Sequence, residues 1–159
     1  MKILLPIDGS ELSLHEVRFA IHLVREGLKA EFLLANAQEP ASLYEMVVLA
    51  DPQALDRISH AAGEHVLEAA QALLVEAGIP FETVVVTGDP AHTMVDVITE
   101  YGCELVIMGS QGTGALLGVL QGSVSRSLQH DSPVPVLLVK PPVTDVEPQD
   151  IADVAEASD

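Results

Sequence analysis

Five short apolar runs recur along the chain, each bounded by turn residues: KILLPI (2–7), FLLANA (32–37), FETVVVT (81–87), ELVIMG (104–109) and VPVLLVK (134–140). Most of them do not alternate polar with apolar residues. A strand built from such a run has no face to give to water, so it belongs in a parallel sheet covered on both sides. The segments between the runs have helical period. Leu14, Val17, Ile21, Val24 and Leu28 recur at spacings of three and four, as do Leu55, Ile58, Ala62, Val66, Ala69, Leu73 and Ala77. Gly27, Gly78 and Gly102 stand where helices should stop. Gly88-Asp89-Pro90 supplies a turn, an N-cap and a proline for the first helical position. The order β-α-β-α-β-α-β-loop-α-β predicts an α/β fold: an open, doubly wound parallel sheet with helices on both faces.

A chain of 159 residues has room for one such domain and one sizeable core. Seven Lys and Arg against 24 Asp and Glu give a formal charge of −17, with the bases scattered. A polyanion is repelled by such a surface, which argues against nucleic acid and anionic membrane as partners. The N-terminus MKILLPIDGS has an apolar run broken by Pro6 and Asp8, too short for a signal-peptide core or a membrane crossing, so a cytoplasmic protein is expected. Cys103 is the single cysteine, which rules out an internal disulfide and reads as a buried, inert thiol. Residues 38–53 form a long connection of the kind that makes a lip over a site. From Pro141 the chain carries six acids, three prolines and no base. The expected organisation is therefore a domain over residues 1–140 and a flexible acidic tail over 141–159.

The stretch MGSQGTGALLGVLQGS (108–123) holds five glycines and no lysine, aspartate or glutamate. It directly follows the fourth strand. In doubly wound sheets ligands bind outside the carboxyl ends of the strands, where strand order reverses. Inward-turned backbone N–H groups and a helix N-terminus bind phosphate without basic side chains, and a loop cleared of acids favours an anion there. Gly122-Ser123-Val124-Ser125 opens the fourth helix, with Ser123 placed as a capping or phosphate-facing hydroxyl. Two familiar phosphate motifs are absent: no lysine follows the glycines at P-loop spacing, and the first strand is followed by DGSELS rather than G-x-G-x-x-G. The six histidines are dispersed and suggest no metal site, and the serines have no identifiable His and acid partners for hydrolase chemistry. Asp8 is placed to cap the first helix or its turn. Arg126 reads as solvent-facing.

Gly109-x2-Gly112-x9-Gly122-Ser123, the strand end LPIDGS, the GDP turn, ELVIMGSQG at strand four and GSVSRSLQHDSPVPVLLV at the end together resemble the ATP-binding branch of the universal stress proteins. The resemblance covers about residues 1–140. It implies a five-stranded sheet of order 3-2-1-4-5, a site for ATP or AMP at the strand ends, and a stress-response regulator that forms homodimers through the last strand (134–140). Carried over by position, Pro6, Ile7 and Asp8 border the adenosine, with Asp8 toward the ribose, and Asn36 offers its backbone to the adenine. Met108, Gly109, Ser110 and Gly112 wrap the ribose and phosphates, while Gly122, Ser123, Val124 and Ser125 bind phosphate oxygens. Mg²⁺ is expected with the nucleotide, because a polyphosphate approaching a strongly acidic protein needs charge neutralisation. No general base or lysine for a γ-phosphate is visible, so ATP hydrolysis is expected to be slow at most and no catalytic residue is assigned. One alternative is the same fold working without nucleotide, as a protein-docking module. A phospho-accepting receiver domain is more remote: Val139-Lys140-Pro141 suits it, but the acidic pair after strand one and the aspartate ending strand three are missing.

Overall fold

In a computed structural model, which describes residues 1–40, 52–110 and 123–142, five parallel strands form one sheet of order β3-β2-β1-β4-β5. The strands are β1 (Lys2–Pro6), β2 (Glu31–Gln38), β3 (Phe81–Thr87), β4 (Leu105–Gly109) and β5 (Val136–Val139). The helices are α1 (Glu11–Arg25), α2 (Pro52–Ala77), α3 (Pro90–Tyr101) and α4 (Ser123–Asp131). This is the expected architecture and strand order. The last strand starts two residues later than the apolar run predicts. Pro135 accepts the Val106 N–H through its carbonyl but has no N–H of its own to give to a ladder.

The sheet separates two cores, which explains the uninterrupted apolar runs. On one face Ile3, Leu5, Ile7, Phe32, Leu34 and Ile107 pack with Val17 of α1 and Leu67 and Leu74 of α2. On the other, Leu4, Leu33, Val106 and Met108 pack with Met94, Val97 and Ile98 of α3 and Leu128 of α4. Successive residues of β1 thus enter opposite cores, and neither set of positions is free to be polar. Cys103 is buried at the edge of the second core, where desolvation pushes its thiol up.

Asp89-Pro90 and Gly102 act as expected, whereas the cap of α1 is a residue that sequence reading did not single out. Ser10 caps α1, its Oγ accepting the Ser13 N–H at 3.1 Å. Asp89 caps α3, accepting the His92 N–H at 3.0 Å, with Pro90 next in the helix. Gly102 ends α3 in the left-handed conformation, φ 64°. Gly63 has a different role: a Cβ there would collide with Val85 and lie 2.9 Å from Asn36 Oδ1, so α2 lies against β2 and β3 at a distance only glycine permits. Among the described residues no helix is long and apolar enough to cross a membrane. The acidic tail from residue 143 and residues 41–51 of the long connection lie outside the described residues.

Candidate functional site

The strands part where their order reverses. β1 stays paired with β2 as far as Pro6↔Ala35, and β4 with β5 as far as Gly109↔Val139. β1 and β4 are paired at Ile3↔Leu105 and Leu4↔Val106 and then separate. The carboxyl ends of β1 and β2 therefore form one wall of a crevice and the end of β4 the other, which is the position where open α/β sheets hold ligands.

The first wall contains Pro6, Ile7 and Asp8, with Asn36 beside them. Ile7 donates its N–H to Ala35 O at 2.8 Å. Asp8 then folds the chain back: its Oδ1 accepts the Ser10 N–H at 2.9 Å, across Gly9 at φ 81°. Asp8 thus closes the turn into α1, and Ser10, not Asp8, is the helix cap. Asn36 is 4% exposed. Its Nδ2 donates to Ile7 O at 2.7 Å, and its Oδ1 accepts from Gln38 Nε2 at 2.5 Å.

The main-chain directions of β2 refine the expectation for Asn36. Glu31 donates to Met1 and Ala35 accepts from Ile7, whereas Phe32 donates to Pro80 and Gln38 accepts from Gly88. Odd-numbered residues of β2 thus face β1 and even-numbered ones face β3. Asn36 turns its own amide and carbonyl toward β3. The main chain facing the crevice is that of Ala37, beyond the end of β1. The Ile7 carbonyl, which the Ala37 N–H would meet if β1 continued, is occupied by the Asn36 side chain.

The second wall contains Met108, Gly109 and Ser110. Met108 is buried in the second core, and Ser110 donates its N–H to Val139 O at 2.9 Å. The Gly109 amide therefore faces the other way, into the gap left by β1. There it meets Glu16 of α1, whose Oε2 accepts it at 2.5 Å. Glu16 is 1% exposed, and its Oε1 has no hydrogen-bond partner among the described residues. Burial pushes its carboxyl well above the usual range and the Asp8 carboxylate adds to the rise, against the opposing effect of the Gly109 N–H. Sequence reading missed this residue. The available signal was its place on the buried side of α1, one turn from Ser13 and from Ala20, beside Val17.

Gly112 and Gly122 lie outside the described residues. Ser123, Val124 and Ser125 form the first turn of α4; Val124 packs against the cluster that holds Met108, and Ser125 is 3% exposed. Arg126 points to solvent, as expected. Neither wall carries a basic side chain from Pro6 to Ser10, at 36–38 or at 108–110. Among the described residues no three His, Cys, Asp or Glu are grouped as a metal site. An anion in this crevice depends on main-chain N–H groups, a helix N-terminus and whatever cation it brings.

The family model described as the universal stress protein family matches residues 1–140. Universal stress protein YxiE of Bacillus subtilis is 32% identical over 146 residues, spanning 87% of this chain and 98% of its own. A universal stress protein solved in complex with cAMP superposes with TM-score 0.63 at 25% identity, over 87% of this chain and 96% of that one. An Arabidopsis thaliana member of the family, solved with AMP bound, has TM-score 0.63 at 19% identity, over 88% and 91%.

Proposed function

The chain belongs to the universal stress protein family, and on that premise we propose that it binds an adenine nucleotide, ATP or AMP, in the crevice between β1–β2 and β4 and acts as a nucleotide-responsive homodimeric regulator in the cytoplasm. The observation that carries this reading is the parting of β1 and β4 at the place where the glycine stretch begins. Two proteins of the same fold, solved with cAMP and with AMP, support the shared ligand element, an adenosine bearing one phosphate.

In this reading Pro6, Ile7 and Asp8 border the adenosine. The main chain of Ala37 is offered to the base, and Asn36 braces that wall through its side chain. Met108, Gly109, Ser110 and Gly112 face the ribose and phosphates, with Gly122 and Ser123 to Ser125 supplying the cradle at the start of α4. Mg²⁺ enters with the polyphosphate of ATP, whose oxygens are its ligands, and offsets the Asp8 charge. The homodimer forms along β5, an edge strand on which Leu137 is 37% exposed.

The test is thermal unfolding of nucleotide-stripped protein with saturating Mg-ATP or AMP. Ligand at about 100 times its Kd adds about 2.7 kcal/mol, a rise on the order of 5–10 °C for a chain of this size. Gly122→Val should abolish the rise by blocking backbone approach. No rise, with no nucleotide released on denaturation, would replace this reading with the nucleotide-free docking module. Leu137→Asp should convert a dimer to monomers in sedimentation; unchanged mass would move the interface elsewhere.

A further inference from the structure

Glu16 is the one buried carboxyl among the described residues, and its environment neither neutralises nor fully satisfies it. Among them it has no cationic partner, one oxygen is committed to the Gly109 N–H, and the other has no partner. The reason for an oxygen at this point lies in the sheet. Past Leu4↔Val106 β1 no longer reaches β4, so the Gly109 amide has no neighbouring strand to bond, and a buried N–H left alone is costly. Glu16 replaces the missing strand.

The charge state follows from the surroundings. Of the charged groups on the elements packed against α1, Asp8 alone bears on the Glu16 carboxyl. β1 otherwise holds Lys2, at its far end in an ion pair with Glu82. β4 and β5 contain no ionisable side chain, Lys140 lies exposed beyond β5, and the acids and bases of α2, Asp56, Arg57, His60, Glu64, His65, Glu68 and Glu76, are exposed. A carboxylate here faces burial, another carboxylate and one N–H. When the acid is neutral, Oε1 is the oxygen that carries the proton, because Oε2 is committed as an acceptor.

We propose that Glu16 is a positioning residue of the nucleotide site, whose carboxyl holds the Gly109 amide in the gap between β1 and β4, and that nucleotide binding favours the protonated form of that carboxyl over the ionised one. This rests on the nucleotide reading above. Phosphate arriving beside Gly109 brings negative charge to a place that already holds Asp8, so it binds better to the protonated form, and linkage makes the effect reciprocal. Glutamine keeps an acceptor for Gly109 and cannot ionise, whereas alanine leaves the amide alone.

The experiment is calorimetric titration of AMP into nucleotide-stripped full-length protein, wild type and Glu16→Gln, from about pH 5 to 9, the second ionisation of the AMP phosphate (pKa about 6) being common to both proteins. It is repeated in buffers of different ionisation enthalpy to count protons taken up. The wild type should lose affinity as pH rises, by up to tenfold per pH unit, with proton uptake on binding. Glu16→Gln should match the wild type at the acid end of the range and lack the wild type's additional loss of affinity and additional proton uptake above it. Glu16→Ala, if folded, should bind about tenfold more weakly at every pH. The same pH profile and proton count in wild type and Glu16→Gln would overturn the inference while leaving nucleotide binding intact. Absence of AMP and Mg-ATP binding in the wild type would instead overturn the nucleotide reading itself.

Discussion

The two walls of the crevice are built on opposite plans. The β1–β2 wall is tied by side chains and main chain together: Ile7 to Ala35, Asn36 to Ile7, Gln38 to Asn36 and Asp8 to Ser10. Each polar group of Asn36 has a partner, and α2 is seated against that wall through Gly63. The β4 wall depends on one half-satisfied acid supplied from another element. A base and ribose need fixed geometry, and the wall proposed to hold them is cross-linked in advance. Phosphates differ in number and charge between AMP and ATP, and the wall proposed to meet them is held by a group whose charge can change. Preorganisation is concentrated on one side and responsiveness on the other.

The largest effect is expected where the first wall is seated. Gly63→Val puts a side chain where even a Cβ meets Val85 and Asn36. Either α2 lifts from β2 and β3 or Asn36 is displaced, so a loss of about 3 kcal/mol is expected in urea unfolding. AMP binding should be lost with it. A loss under about 1 kcal/mol would mean that the wall yields easily, and the contrast between the two sides would fail.

Asn36→Leu comes next. The branching and the number of heavy atoms are kept, but the Ile7 carbonyl and the Gln38 amide both lose their partner. An expected cost of about 2 kcal/mol follows from a buried acceptor left unmade. ATP and AMP should weaken by the same factor, because the change lies on the base side. A larger loss for ATP would assign Asn36 to the phosphates and blur the division between the walls.

Glu16→Gln tests the second wall through stability rather than binding. The native-state pKa of Glu16 is raised above that of the unfolded chain, so between the two values the native state binds more protons than the unfolded state. Unfolding free energy therefore falls as pH rises from the ordinary carboxylate range through the raised native value. The variant lacks that fall and should gain on the wild type toward alkaline pH, with little difference in acid, where both carry a neutral side chain. Raised His92 and Lys2 and lowered Asp89 are common to both proteins and cancel in the difference. A constant difference at every pH would show that Glu16 acts through its shape alone.

The contrast between the walls also marks what could be read from the residues in order. Strand runs and the cap of α3 were legible because each depends on neighbours within a few positions: Asp89 on His92, and Ile3 and Leu4 on the unbroken apolar run of a strand buried on both faces. That the main chain of Asn36 faces β3 and that of Ala37 the opposite side was not, because it depends on how β2 pairs with both of its neighbours. Glu16 was less legible still. An acid on a helix in an acidic chain reads as a solvated one, and nothing local says that β1 will turn away from β4 ninety-three positions later in the sequence and leave an amide to be met. Residues 111–122, where the rest of the glycine cradle falls, lie outside the described residues.

The smallest effect is the one that joins the two walls. Asp8 belongs to the first wall by its hydrogen bond to Ser10 and acts on the second through its charge, since its carboxylate is one of the causes that raise Glu16. Asp8→Ala removes that charge and leaves burial, the larger cause, in place. The Glu16 titration should therefore move down, but only part of the way to the ordinary range. The Gly109 amide, bonded to Glu16, is the reporter, and its nitrogen shift followed against pH in labelled protein gives the midpoint directly. Asp8→Asn should produce the same displacement while keeping an acceptor for the Ser10 N–H, which separates the charge from the turn. If Asp8→Ala moves the midpoint and Asp8→Asn does not, the coupling runs through the backbone of the first turn of α1. The two walls would then be one mechanical unit rather than two regions linked by a field.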